Sequence, residues 1–157
     1  MGKITGTEGD DLLVGGNKAD TIKGEGGDDK ILAGYGNDKV EGGAGDDQIT
    51  GDKGADQLSG GTGANVFNYN HPEESEKNHG DTINGFQVGI DKINLAPMAA
   101  YAQGVHLLPE EVTITEKKPG QFQVVIRKGT WAPSLASMEI TVNTLDGSTL
   151  THDDFIL

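Results

Sequence analysis

GGAGDDQIT occupies residues 42–50. It holds glycines at 42, 43 and 45, two adjacent acids, Asp46 and Asp47, and one aliphatic side chain, Ile49. Taken as a template, it divides residues 6–68 into seven nine-residue units without a gap. These are GTEGDDLLV (6–14), GGNKADTIK (15–23), GEGGDDKIL (24–32), AGYGNDKVE (33–41), GGAGDDQIT (42–50), GDKGADQLS (51–59) and GGTGANVFN (60–68). The sixth place holds Asp11, Asp20, Asp29, Asp38, Asp47, Asp56 and Asn65, and the eighth holds Leu13, Ile22, Ile31, Val40, Ile49, Leu58 and Phe67. The fourth holds Gly9, Lys18, Gly27, Gly36, Gly45, Gly54 and Gly63. A period of this kind is the mark of a solenoid.

Glycine at the first, second and fourth places permits positive φ, so each unit can turn tightly and aim carbonyls inward. The last three places read as a short strand whose middle side chain alone points inward. Two units, one on each side, make one coil of a parallel β-roll, and coils stack about 4.8 Å apart. The eighth-place residues then form two facing aliphatic ladders. A thin core of this kind suits a chain with 34% hydrophobic and 5% aromatic residues.

Stacking also lines up the sixth place in two columns, Asp11, Asp29, Asp47 and Asn65 in one and Asp20, Asp38 and Asp56 in the other. Carboxylates about 5 Å apart repel by roughly 0.8 kcal/mol in water and about 3 kcal/mol at an effective dielectric of 20. A hard divalent cation between coils reverses the sign. Ca²⁺ accepts six to eight oxygens in loose geometry, whereas Mg²⁺ demands a strict octahedron. Zinc prefers nitrogen and sulfur, which these turns lack. The formal net charge of -13 likewise favours cations as partners and disfavours nucleic acid. A Gly/Asp-rich disordered linker has a similar composition, but it has no reason to fix an aliphatic at every eighth place. Without calcium, repulsion and glycine entropy oppose folding.

The units resemble the G-G-x-G-x-D-x-U-x nonapeptides of RTX proteins, a repeat documented as a Ca²⁺-binding parallel β-helix. The resemblance implies an all-β fold: a right-handed parallel β-roll over residues 1–68 with a C-terminal β-rich capping segment over 69–157. It implies about five Ca²⁺ ions, each bridging units two apart: Asp11–Asp29, Asp29–Asp47, Asp47–Asn65, Asp20–Asp38 and Asp38–Asp56. It brings the fourth-place residues Gly9, Gly27, Gly36, Gly45, Gly54 and Gly63 into the ligand set through their carbonyls. Lys18 departs from the pattern, which predicts a misplaced carbonyl, and neutral Asn65 predicts a weaker site. Glu25 and Asp52 stand where second-place glycines belong and leave a carboxylate near the ion.

Glycine thins out after Asn68, with 18 of the 25 in residues 1–68. An acidic loop, 71–80, leads to alternating strands at Thr82–Phe86 and Ile90–Leu95. A hairpin is expected from Val112–Glu116 and Phe122–Ile126, another strand at Ser137–Val142, and a short helix in Ala96–Gln103. A roll exposes its ladder and strand edges at its open end, so a cap is physically required. Residues 81–95 and the closing 150–157 resemble the segments after the repeats in serralysin-type metalloproteases, some lipases and mannuronan C5-epimerases. The resemblance implies that Asp81 closes a calcium site at the end of the roll, with Asp91 a weaker candidate. It also implies a type I secretion apparatus reading the C-terminus, an upstream domain in a larger secreted bacterial protein, and an extracellular location.

Enzyme chemistry finds no footing. His71, His79, His106 and His152 form no H-E-x-x-H, and Ser75, Ser134 and Ser137 have no G-x-S-x-G context. The Gly-rich turns lack G-K-[ST]. With no cysteine, no disulfide or thiolate site is available. The apolar runs are too short to span a bilayer, and Met1-Gly2-Lys3-Ile4 lacks the apolar core of a signal peptide. The expectation is a non-catalytic, calcium-binding module whose folding supports secretion and templates its upstream domain. The alternative is an accessory module binding an acidic polysaccharide such as alginate, with Tyr101, Arg127, Lys128 and Trp131 as the candidate surface.

Overall fold

The computed structural model describes residues 1–71, 74–75, 80–97, 112–126 and 138–157. Every nonapeptide ends in a strand, and alternate units place theirs in opposite sheets. One sheet runs β1 (Lys3–Thr5), β3 (Thr21–Gly26), β5 (Lys39–Ala44), β7 (Gln57–Thr62) and β9 (Asp81–Phe86), all parallel. The other runs β2 (Leu12–Val14), β4 (Lys30–Leu32), β6 (Gln48–Thr50), β8 (Val66–Asn68) and β10 (Lys92–Asn94), also parallel. The result is the expected parallel β-roll.

The eighth-place residues pair directly across neighbouring strands. Leu13, Ile31, Ile49, Phe67 and Ile93 form one ladder. Ile4, Ile22, Val40, Leu58 and Ile83 form the other. Most residues flanking a rung face outward, so Leu12 and Val14 lie exposed while Leu13 between them is buried; Thr50, beside Ile49, is the buried exception among the repeat strands.

Two features depart from the sequence reading. The strands of the first sheet run six residues rather than three in β3, β5 and β7, because the first three places of the next unit continue them. The turns are therefore unequal on the two sides of each coil. The first-place glycines also serve a different purpose from the one expected. Positive φ falls at the second and fourth places, as in Gly43 (125°) and Gly45 (129°), and even non-glycine Glu25 (77°) and Asp52 (61°) adopt it at the second. At the first place the need is room. A Cβ on Gly24 would lie 2.1 Å from Asp29 Oδ2 and 2.2 Å from the Gly42 carbonyl oxygen.

Both sheets run past residue 68 without a break. The repeat interval of 18 residues is replaced by 25 between Asp56 and Asp81 and 26 between Asn65 and Asp91, yet β9 and β10 keep the ladders in register. The cap then closes each sheet separately. In the first, β13 (Met138–Thr144) pairs parallel to β9, followed by antiparallel β12 (Gln121–Ile126) and β11 (Val112–Lys118). In the second, a 3-10 turn (His152–Asp154) delivers β14 (Phe155–Ile156) alongside β10. Phe67 and Phe86 meet between the sheets with ring centroids 6.1 Å apart. The expected helix over Ala96–Gln103 lies largely outside the described residues.

Because a rung has neighbours only above, below and opposite, its loss leaves a cavity with little material to collapse into it. Ile49→Ala is expected to lower stability by about 2–5 kcal/mol in urea denaturation of the calcium-loaded chain. Leu12→Ala, on the exposed side of β2, is expected to change it by less than about 0.5 kcal/mol.

Candidate metal centre

The sixth-place residue stands where the turn meets the strand, two residues before the buried rung. That position lets its carboxylate reach the neighbouring coil. In one column Asp11 N–H donates to Asp29 Oδ1 (2.8 Å), Asp29 N–H to Asp47 Oδ1 (3.0 Å), and Asp47 N–H to Asn65 Oδ1 (3.1 Å). In the other, Asp20 N–H donates to Asp38 Oδ1 (2.7 Å), Asp38 N–H to Asp56 Oδ1 (2.7 Å), and Asp56 N–H to Asp81 Oδ1 (2.9 Å). Asp81 is thus the next member of its column.

The second oxygen is the informative one. Oδ2 of Asp29, Asp38, Asp47, Asp56 and Asp81 is buried and has no hydrogen-bond partner. A buried acceptor left unmade costs about 1–3 kcal/mol, more when charged. The ionisation of these groups shows the same strain. Burial raises Asp29 and Asp38, takes Asp47 to about 6, Asp56 to about 7 and Asp81 to about 8. In each, the backbone N–H of the preceding coil pulls down, and the neighbouring column carboxylate pushes up.

These residues fit a hard cation. The unpartnered oxygen of Asp29 points with the Gly42 carbonyl into the space beside Gly24, and that of Asp47 points with the Gly60 carbonyl beside Gly42, where a Cβ would lie 2.2 and 2.5 Å from the two oxygens. The donors are oxygen only, which suits Ca²⁺. Among the described residues no three His, Cys, Asp or Glu side chains gather as a metal cluster, so carbonyls must complete any ligand set. The fourth-place carbonyls stack closely in the later coils: a Cβ on Gly54, Gly45 or Gly63 would lie 1.7, 2.2 or 2.1 Å from the carbonyl oxygen one coil before. On Gly36 the corresponding distance, to Lys18, is 3.0 Å. On Gly27 the nearest atoms are the carbonyl carbon of Gly9 at 2.4 Å and Asp10 N at 2.6 Å.

Both column starts and the far end of the first column are closed by hydrogen bonds instead. Asp11 Oδ2 accepts from Thr7 N–H (2.6 Å) and Thr7 Oγ1 (2.9 Å). Asp20 accepts from Gly2 and Gly16 N–H, which hold its carboxyl below the usual range. At the far end of the first column Asn65 N–H and Nδ2 both donate to Asp91 Oδ1 (3.0 and 3.2 Å), and Gln87 N–H donates to Asp91 Oδ2 (2.8 Å). Gln87 Nε2 reaches back to the Gly61 and Gly63 carbonyls (2.8 and 3.4 Å). Asp91 is therefore a full member of the column, in the same relation to Asn65 as Asp81 to Asp56. The signal was present: Gly89-Ile90-Asp91-Lys92-Ile93-Asn94 repeats the fourth to ninth places.

The fifth-place acids do more than face solvent. Asp10 Oδ1 accepts from Asp28 N–H, Asp28 Oδ1 from Asp46 N–H and Asp46 Oδ1 from Ala64 N–H, at 2.7–2.8 Å, an exposed ladder running opposite to the sixth-place one. Glu25 is exposed, whereas Asp52 is half-buried. His152 Nε2 lies 3.2 Å from the Val112 carbonyl, and Ser75 Oγ donates to the Glu139 carbonyl while accepting from Asp81 N–H. His79, His106, Ser134, Ser137 and the surface of Tyr101, Arg127, Lys128 and Trp131 lie outside the described residues. Among the described residues no helix is long and apolar enough to cross a membrane.

Over residues 3–157 the sequence matches the family described as peptidase M10 serralysin C terminal. Two subunits of the Azotobacter vinelandii mannuronan C5-epimerase share the fold. AlgE6R3 aligns at 22% identity and a TM-score of 0.50, over 96% of this chain and 80% of that one. AlgE6R2 aligns at 22% identity and a TM-score of 0.53, over 98% and 91%. No curated protein matches the sequence. The chain belongs to the serralysin C-terminal family and is an RTX-type calcium-binding module.

Raised carboxyls bind more protons folded than unfolded, so without a cation stability falls as pH rises from about 4 toward the folded values of about 6 to 8. The folded fraction in chelator, read by far-UV circular dichroism, is expected to fall as pH rises across that window, and saturating calcium is expected to remove most of the fall.

Proposed function

We propose that this member of the serralysin C-terminal family folds when its two aspartate columns take up Ca²⁺. The supporting observation is the row of buried, unpartnered Oδ2 atoms on Asp29, Asp38, Asp47, Asp56 and Asp81. Ca²⁺ would supply positive charge between carboxylates that otherwise repel and would take the chain's oxygens as its ligands. The chain supplies the rest. Oδ1 of each aspartate fixes the neighbouring coil, Oδ2 faces the ion site, and the turn carbonyls of Gly27, Gly36, Gly45, Gly54 and Gly63 complete it. Gly9 and Asp11 belong to the first coil, Asp20 begins the other column, and Asn65 is the uncharged member of the first, followed by Asp91.

Linkage sets the scale. A ligand bound only by the folded state stabilises it by RT ln(1 + [L]/Kd), about 1.4 kcal/mol per site at ten times Kd. Extracellular calcium modules work near 10⁻⁴–10⁻³ M. In this reading residues 1–68 are the responsive part and 69–157 the closing part, joined through shared sheets. At low intracellular calcium the chain stays open for a type I exporter; outside, this non-catalytic module folds and templates an upstream domain of a larger secreted protein. The position of the C-terminal segment supports this order: Asp154 and Phe155 are buried and β14 is a strand of the folded sheet. Folding buries Asp154 and Phe155 of the acidic-hydrophobic ending, while Asp153 and Ile156 stay exposed.

Calorimetric titration of chelator-treated protein is expected to show several calcium sites, cooperative with a gain of β signal in far-UV circular dichroism. Magnesium at the same concentration is expected to give little of either. Titration with no bound calcium, or unchanged dichroism, contradicts the reading.

A further inference from the structure

The N-terminal end of the roll is finished differently from the other. β1 and β2 are the outermost strands of their sheets there, and among the described residues nothing pairs with their outer edges. Their rungs, Ile4 and Leu13, pack into the core between the sheets. Among β2, β4, β6, β8 and β10, only β2 has large apolar side chains on both sides of its rung, and both are open to solvent, Leu12 at 65% and Val14 at 56%. Edge strands are ordinarily blunted by charge or proline. At the cap end β11 finishes in exposed Glu116-Lys117-Lys118. β2 carries neither device.

The hydrogen-bonding pattern decides what can pair with this edge. Lys30 N–H donates to the Asp11 carbonyl and Gly15 N–H to the Leu32 carbonyl, so the alternation of a parallel ladder turns the N–H and C=O of Leu12 and Val14 outward. In β1, Thr21 N–H donates to the Gly2 carbonyl and Gly6 N–H to the Lys23 carbonyl, which turns those of Lys3 and Thr5 outward. Each edge is a three-residue strand with its rung at the centre and an outward-facing residue on either side. That arrangement is self-complementary. Antiparallel pairing of β2 with a second β2, about a two-fold axis through Leu13, sets Leu12 opposite Val14 of the second copy as a hydrogen-bonded pair. Leu13 then meets Leu13 as the closer, non-bonded pair. The same operation on β1 sets Lys3 opposite Thr5 and Ile4 opposite Ile4, with no like charges opposed. A further calcium-binding coil fits this end less well. It needs Asp11 and Asp20 to keep an oxygen for the ion, and Oδ2 of each is already bonded within its own turn, to Thr7 and to Gly16.

We propose that the N-terminal end of the roll, the edges of β1 and β2 with Leu12 and Val14, is a docking surface for a second copy of this chain, head to head. Both sheets continue through the two-fold axis, and both aliphatic ladders run on across it. The contact is small, six strand residues a side against the 20–30 of a standard interface, so the association is weak, with a Kd on the order of 10⁻⁴ M. The proposal rests on the calcium reading of the columns. Only a folded roll has this end, and bound calcium reduces the repulsion between chains of formal charge -13.

Sedimentation velocity of the calcium-loaded chain from about 10 μM to about 1 mM spans that Kd. The average mass is expected to climb from one chain toward two and no further, because a two-fold contact closes on itself. Leu12→Lys with Val14→Lys sets like charges opposite in both pairs of β2. Val14→Pro removes an outward N–H that the roll does not use. Each change is expected to weaken association about 10-fold or more while calorimetry shows calcium binding unchanged. Leu145→Lys, at a similarly exposed leucine of the cap, is expected to leave association as it was. A calcium-loaded chain that stays single at about 1 mM, a mass that climbs past two chains, or β2 variants that associate like the intact chain overturn the docking surface alone. An intact chain that binds no calcium overturns the column reading beneath it.

Discussion

Each interior sixth-place aspartate divides its two oxygens between unlike tasks. Oδ1 accepts the backbone N–H of the aspartate one coil before, which locks the stacking interval. Oδ2 is left buried with no protein partner. The same side chain is thus a structural strut and an uncompensated acid. Everything else follows from tolerating that acid: glycine at the first place leaves room beside it, and positive φ at the second and fourth places turns carbonyls around it. The aliphatic rungs two residues along give the coil a hydrophobic contribution, but a single rung per half-coil is a thin core. The free carboxylate oxygens are the feature on which the proposed dependence of the roll on a cation rests.

The ends of the roll face a second constraint, that no ladder or backbone edge be left bare. The protein meets it by stopping three of the four column ends with hydrogen-bond donors and the sheets, at the C-terminal end, with strands of other kinds. Thr7, Gly2 and Gly16 donate at the start. Gln87 and Asn65 close the first column at the finish. The antiparallel strands β11–β13 extend one sheet and β14 extends the other, so the two faces of the roll are closed by separate parts of the chain.

The nonapeptide made the roll, its two ladders and its two columns legible, because one residue type per place recurs with the geometry it needs. The hairpin Val112–Lys118 with Gln121–Ile126 was legible from alternation around Pro119-Gly120. Other features depended on contacts that no local pattern encodes. The fifth coil was hidden by the insertion before Asp81, although Gly89–Asn94 still carries the late places of the unit. The strand at Lys3–Thr5 has no repeat around it and forms because β3 presents an edge. The unpartnered second oxygen and the opposing ladder of Asp10, Asp28 and Asp46 appear only when side chains have neighbours. Spacing placed the aspartates in columns; it could not say which oxygen of each is already engaged.

Small-angle X-ray scattering tests the central claim most directly, because it reads compaction rather than the ion. For a chain of 157 residues a compact fold has a radius of gyration near 15 Å and an unfolded one about 40 Å. The account predicts a value near 15 Å with saturating calcium and a large expansion toward about 40 Å in chelator, reversed when calcium is restored. A radius near 15 Å under both conditions would contradict it.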